Sequence, residues 1–198
     1  MLRPFAMSVI FVSLSSIAAT QPVDPAIATI QSLDDGLLAI MRSGSAAGMV
    51  GRSRAIAPVI DRTFDLPLMS RLSVGPGWVK IAPRDQAALV AAFRAMTIAS
   101  YARNFDNYSG EKFTVLPPAQ VRGSDRLVRT MLKSGRDDPI ALGYRLRQSN
   151  GSWKIIDVYY KDSISQLATR RSDFAATLAS GGPRALIAHL EQLAAKSR

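Results

Sequence analysis

The chain has 198 residues, with 25 Lys and Arg against 15 Asp and Glu, a single His and no Cys, and its formal net charge is +10 at pH 7. This composition excludes disulfides and Cys-His chemistry, and it leaves no His-based metal cluster and little prospect of a serine triad. We expect His189, which lies among leucines near the C-terminus, to be structural, and we expect no catalytic residue, metal or cofactor.

The N-terminus predicts a secretory signal peptide over residues 1–19. Arg3 precedes an apolar run over residues 5–17, which ends in small residues. This run is shorter than the ~20 apolar residues that a membrane-spanning helix needs. We therefore expect residues 20–198 to form one exported domain, which would be periplasmic in a Gram-negative source.

Basic residues remain in excess after the signal is removed, because the loss of Arg3 only lowers the charge from +10 to +9. Export argues against nucleic acid as the partner. The Lys and Arg residues are also scattered along the chain, so two interpretations stay open. One is an ordinary solvated surface, and the other is a transient attraction to anionic membrane.

Helical periodicity begins at Asp24, which is placed to cap a first helix that ends near Gly44. A polar, Gly-rich connection is expected over residues 43–53. A second helix follows, with Pro58 in or near its first turn, and Pro67 should break or offset it.

A long helix is predicted from Arg84 to about Phe105. Bulky apolar residues cover about half of its circumference and alanines cover much of the rest. We therefore expect this helix to be buried nearly all round, with its alanine side against another helix. Its bulky side would face a sheet or a cavity.

Three strand patterns follow over residues 127–132, 140–146 and 153–160, after a possible short strand over residues 113–116. The connections are rich in the Gly, Pro, Asn and Asp that tight turns need, which predicts an antiparallel meander. Every second residue of the 140–146 pattern is large and apolar, as in a strand with one buried face.

The end of the chain returns to helical patterns. Simple alternation places Ile155 and Val158 on opposite faces of the last strand, so both faces should be covered. Ser163 is the expected N-cap of the next helix, and Gly182 and Pro183 lie in the segment that should separate it from a final helix. The element order predicts an α+β fold, in which N- and C-terminal helices wrap a curved antiparallel sheet of about four strands.

The carboxylates and the bulky apolar residues of the sequence are compatible with more than one function. Asp61, Asp65 and Asp157 are carboxylates set in apolar sequence, and such a group can serve as a general base when its pKa is raised. More often, however, such residues cap helices or pair with arginine. The many bulky apolar residues predict either an ordinary closed core or a core that leaves a slot for a lipid tail.

Several short motifs are spread over most of the chain: Phe64-Asp65-x-x-x-Met69-Ser70-Arg71, Gly75-x-Gly77-Trp78, Phe93, Tyr101-Ala102-x-x-Phe105-x-x-Tyr108-x-Gly110, Trp153-Lys154-Ile155-x-Asp157-Val158 and Arg171-x-x-Phe174. In combination they resemble the MlaC family of periplasmic phospholipid-binding proteins, also called the toluene-tolerance family. Two departures look more like the hopanoid-associated HpnM branch: Thr169-Arg170-Arg171 replaces an Asn-Tyr-Arg triplet, and residues 159–165 replace a Gly-containing turn.

The resemblance implies an apolar cavity for acyl chains in a non-enzymatic carrier of phospholipid or a hopanoid-type lipid, which shuttles between membrane-associated transport complexes. Two alternatives stay open: a small enzyme with an Asp base in a cone-shaped pocket, and an adaptor with a closed core that binds only proteins. The candidate lipid-binding residues of the cavity wall are Phe64, Leu68, Met69, Leu72, Phe93, Met96, Tyr101, Tyr144, Ile156, Val158 and Tyr160.

Overall fold

The computed structural model describes residues 24–135 and 137–196, so the predicted signal peptide lies outside the described residues. Helices precede and follow one antiparallel sheet, which confirms the predicted α+β class. The helices are α1 Pro25–Ser43, α2 Gly48–Thr63, α3 Leu66–Val74, α4 Pro83–Asn104 and α5 Gln166–Ala195, with 3₁₀ turns at Ser45–Ala47 and Gly75–Lys80.

The sheet has five strands in the order β1-β2-β3-β4-β5, and all neighbouring pairs run antiparallel. The last strand is a two-residue addition to the four that the sequence predicts. The strands are β1 Lys112–Arg122, β2 Asp125–Lys133, β3 Ile140–Ser149, β4 Ser152–Tyr160 and β5 Ile164–Ser165.

A β-bulge in β4 changes which residues share a face of the sheet. Leu146 pairs with Ile155, whereas the preceding residue of β3, Arg145, pairs with Asp157. Ile156 is therefore the extra residue, and the alternation shifts by one position after it. Ile155 and Val158 consequently lie on the same face, so the expectation that they face opposite sides was wrong.

The connection between α1 and α2 is shorter than the sequence predicts. The turn is made at Gly44 and Gly48, with φ of +56° and +58°, and α2 begins at Gly48. Pro58 consequently lies well inside the helix instead of in its first turn. A reason for the early start is Arg52, whose buried side chain hydrogen-bonds to backbone carbonyls beyond α2 and so holds this turn in place.

Burial of α4 is less complete than its composition suggests. Leu89, Phe93 and Met96 are buried as expected. Ala87 and Ala91, in contrast, are exposed, so the prediction of burial nearly all round was wrong. A small side chain leaves a helix face compatible with either water or a close neighbour, and apolar composition alone therefore overestimates burial.

The start of α5 also differs from the prediction. Ser165, and not Ser163, is the N-cap, since its side chain accepts a hydrogen bond from the backbone N–H of Ala168 at 3.0 Å. Ile164 belongs to β5 and is exposed. The expected break between this helix and a final helix is present within α5 at Gly182, whose φ of +66° is non-helical.

The core forms where α1, α2 and α4 pack together and against the sheet. Fully buried side chains from these elements include Ile30, Leu37, Ile60, Leu89 and Leu146. Among the described residues, no helix combines the length and apolar character needed to cross a membrane.

Candidate functional site

A cavity of about 460 Å³ opens between the sheet and the helices. This volume falls within the roughly 300–1,000 Å³ of typical small-molecule sites. Its apolar wall combines side chains of β2, β3 and β4 with side chains of α3, α4 and the segments next to them: Phe64, Met69, Tyr101, Phe105, Leu132, Ile140, Leu142, Tyr144, Val158 and Tyr160.

The register of the sheet explains why these strand residues meet. Leu142 pairs with Tyr160 and Tyr144 pairs with Val158, so all four side chains project from one face. The bulge at Ile156 is required for this arrangement, because it brings Val158 into phase with Tyr144. The sheet thus forms an apolar floor for the cavity.

Aromatic rings form the opposite side. The rings of Phe64 and Tyr101 meet edge to face with centroids 5.5 Å apart, and Tyr101 stacks on Phe105 at 5.9 Å. Phe113 of β1 continues the series, 6.2 Å from Phe105. These contacts restrict the rings and give the cavity a fixed wall.

A polar band runs along the α4–α5 side of the cavity. Thr97, Ser100 and Asn104 line it from α4, and Gln166 and Arg170 line it from α5. The spacings of three and four residues place each set along one side of its helix. Sequence reasoning missed this band, although polar residues at helical spacing in an otherwise apolar helix were a usable signal.

The structure brings six of the predicted wall residues together around the cavity: Phe64, Met69, Tyr101, Tyr144, Val158 and Tyr160. The other five lie outside its wall. Phe93, Met96 and Ile156 are buried, and Leu68 and Leu72 are half-buried on α3. Lipid binding by any of these residues stays a prediction.

Apolar wall residues missed by the sequence reasoning include Leu132, Ile140 and Leu142. Leu142 lies on the same alternating face of β3 as Tyr144, which was predicted. The alternation was therefore the signal that identifies it. Ile140 shares that alternation and pairs with Leu132 across the strands.

Asp34 is a buried carboxyl group in α1, with 5% of the residue exposed. Neither carboxyl oxygen has a hydrogen-bond partner within the described part of the chain. Burial, with a smaller contribution from the charge of Asp35, raises the pKa of Asp34 to about 8. Its charge also contributes to raising the pKa values of Tyr101 and Tyr144, although burial is the main cause for both hydroxyls.

The three carboxylates considered as general bases have structural roles instead. Asp65 caps α3 by accepting from the Leu68 N–H at 3.0 Å. Asp157 accepts from the Ser165 hydroxyl at 2.6 Å and so fixes the start of α5. Asp61 lies in an exposed ion pair with Arg94, with the closest oxygen and nitrogen 2.6 Å apart.

The described wall of the cavity contains no carboxylate side chain, and no described group of His, Asp or Glu residues is arranged to hold a metal. The general-base enzyme required an inward-facing carboxylate, so the geometry does not favour it.

A smaller groove of about 240 Å³ lies on the other face of the sheet. It is lined by Leu127, Gly143 and Tyr159, with Arg122, Arg129 and Arg145 around them. These residues alternate in sequence with those of the cavity floor. The larger cavity is the better candidate site, because it is enclosed on two sides by helices and sheet.

The fold and the cavity define a class of protein, namely a small α+β protein with a largely apolar cavity between its sheet and its helices. The match to a family model is specific. Residues 31–192 match the MlaC protein family, and the chain belongs to that family. It is accordingly a non-enzymatic, lipid-binding family member.

Comparison with solved structures supports the same fold. The chain is similar to a phospholipid-binding protein from Ralstonia solanacearum that was crystallised in complex with a phospholipid. The TM-score is 0.72 at 23% sequence identity, and the likeness covers 87% of this chain and 98% of the other. Comparison with curated proteins gives no significant match.

Proposed function

We propose that the protein is a periplasmic carrier that binds the acyl chains of a phospholipid or a hopanoid-type lipid in its cavity. The observation that carries this proposal is the apolar cavity of about 460 Å³ with no carboxylate in its described wall. Membership of the MlaC family supports it, as does the phospholipid complex of the R. solanacearum protein.

Physical chemistry explains why such a cavity suits transport. Each buried CH₂ group gains ~0.8 kcal/mol, so exposing a sixteen-carbon tail to water costs on the order of 10 kcal/mol. A cavity that shields the tail brings the bound state close in free energy to the membrane. Lipid can then exchange in either direction without a chemical reaction on the carrier.

The location and the partners belong to the same proposal. The predicted signal peptide supports export of residues 20–198 as one lipid-binding domain, and family membership supports exchange with membrane-associated transport complexes in maintenance of the outer membrane. The net charge of +9 without Arg3 supports transient contact with anionic membrane, at ~1 kcal/mol for each basic residue held near the surface. The departures from the commoner sequence pattern favour the HpnM branch and hence a hopanoid as one candidate cargo.

Native mass spectrometry of the protein purified without detergent, followed by solvent extraction, tests the carrier proposal. We expect one lipid per protein, identified by extraction as phospholipid or hopanoid. A protein that stays free of lipid, even after incubation with vesicles of both types, would contradict the proposal. That result would favour an adaptor that binds only proteins.

A further inference from the structure

Arg170 places a positive charge inside the lipid cavity. Its side chain leaves the first turns of α5 and reaches towards α4, where the guanidinium carbon lies 5.4 Å from the centroid of the Phe93 ring. Nη1 contacts the Met96 sulfur at 2.8 Å. Neither neighbour carries a negative charge, so neither neutralises the guanidinium.

No carboxylate of the described chain forms an ion pair with Arg170. Two acidic groups act on the pKa of Arg170: first the Tyr101 hydroxyl, which lines the same cavity, and then Asp173, which is exposed. Burial lowers the pKa of Arg170, which reflects the cost of holding a cation away from water. Arg170 is half-buried, and a charge that loses part of its hydration is normally compensated by a partner of opposite charge.

The surroundings of Arg170 have unused hydrogen-bonding capacity. The Thr97 hydroxyl is enclosed and has no partner among the described residues. Gln166, one helical turn before Arg170, lines the same side of the cavity. A guanidinium has five N–H donors in one plane, which match the paired oxygens of a phosphate or carboxylate.

We propose that Arg170 binds an acidic oxyanion of the cargo, a phosphate or a carboxylate, and makes the carrier selective for anionic amphiphiles. The apolar floor formed by β2, β3 and β4 would hold the tails, while the band from Thr97 to Arg170 would receive the acidic group. This inference rests on the proposed function and adds the chemical class of the headgroup.

A competition experiment tests the selectivity. The purified protein is incubated with vesicles that contain equal trace amounts of dipalmitoyl phosphatidylglycerol, palmitate and dipalmitoylglycerol, and the captured lipids are quantified by mass spectrometry. Each tail is a sixteen-carbon chain, of which palmitate has one and the other two lipids have two. We expect at least one acidic lipid to be enriched by about tenfold over dipalmitoylglycerol, the ratio expected from a charge-assisted contact. Enrichment of phosphatidylglycerol or of palmitate identifies the oxyanion as phosphate or carboxylate.

Variants assign the selectivity to Arg170. Arg170→Gln should lose the preference for the acidic lipid over dipalmitoylglycerol, and Arg170→Lys should keep part of it. Arg84→Gln removes an exposed charge at the start of α4 and should behave as the wild type. Thermal unfolding checks that each variant is folded. The competition with the wild-type protein tests the selectivity even if a variant does not fold.

Two results would overturn the inference and leave the carrier proposal intact: equal capture of all three lipids by the wild type, or an unchanged preference in folded Arg170→Gln. Capture of no lipid by the wild type would instead overturn the carrier proposal, and the inference with it.

Discussion

Arg52 of α2 donates a hydrogen bond from Nε to the backbone carbonyl of Ala102, with a distance of 2.9 Å. Ala102 lies in the last turn of α4, where carbonyls lack partners within the helix. The same guanidinium donates from Nη1 to the carbonyl of Gly44 at 3.1 Å. One buried side chain therefore connects α2 to the ends of both α1 and α4.

Replacement of Arg52 by Met should lower the free energy of unfolding by about 2 kcal/mol, because two carbonyls lose a charged donor. Urea denaturation followed by circular dichroism measures this change. Arg54→Met, at an exposed position of the same helix, should change stability by less than about 0.5 kcal/mol. Equal stability of the two variants would contradict a structural role for Arg52.

Asp125 should support stability near neutral pH. Its side chain is 1% exposed and accepts hydrogen bonds from Arg145 and Arg147 at 2.6 and 2.7 Å. Burial would raise the pKa of Asp125, but these hydrogen bonds outweigh it and hold the pKa below its ordinary value. Asp125→Asn should therefore lower the free energy of unfolding by about 2 kcal/mol at neutral pH.

The stabilisation by Asp125 is present above the unfolded pKa of 3.8 and is lost as the pH falls through the lower folded pKa. The difference between Asp125→Asn and the wild type should thus shrink in acid, as measured by urea denaturation across this range. Asp61→Asn removes an exposed ion pair and should have only a small effect. A difference that stays constant with pH would show that ionisation of Asp125 is not responsible.

Asp34 should have the opposite dependence. Its pKa rises from 3.8 to about 8 on folding, so between these values the folded chain retains a proton that the unfolded chain has lost. The free energy of unfolding should fall with rising pH in this window, by up to about 1.4 kcal/mol per pH unit.

Asp34→Asn removes this titration, and its stability relative to the wild type should rise steadily across the same window. Asp35→Asn, at the exposed neighbouring position, should retain most of the wild-type slope. Urea denaturation at several pH values measures both. Parallel curves for wild type and Asp34→Asn would mean that Asp34 titrates alike in the folded and unfolded chains.

Val158→Trp should reduce bound lipid, since the larger side chain projects from the sheet into the cavity. The protein should stay folded at a cost of roughly 1–3 kcal/mol for overpacking. Lipid content is measured by native mass spectrometry. Leu127→Trp, on the other face of the sheet, is the matched control and should keep its lipid. An unchanged lipid content in Val158→Trp would place the cargo elsewhere.

The sequence predicts most elements of this fold, because the apolar periodicity of each helix and strand reflects the face that it buries. The extent of β1 is an exception. The sequence predicted only a possible short strand over residues 113–116, yet β1 continues through Pro117 and Pro118 to Arg122. Its position at the edge of the sheet explains this, because an edge strand tolerates residues that cannot donate to a neighbour.

The wall of the cavity was harder to predict than the fold. The extra residue Ile156 shifts the alternation of β4. An apolar residue within a strand pattern gives no sequence signal for such a bulge. Arg170 follows from tertiary structure alone, because it meets Phe93 and Met96 only when α5 packs on α4. Tyr101 and Tyr144 were predicted because bulky residues recur at their helical and strand spacings.

Successive side chains of the ten-residue strand β3 lie on opposite faces of the sheet. Leu142 and Tyr144 face the cavity, whereas Gly143 and Arg145 line the outer groove. A substitution of Leu142 or Tyr144 changes the shape of the cavity, whereas one of Gly143 or Arg145 changes the outer groove. The interior and the exterior of this strand can therefore vary separately, with no change to the backbone.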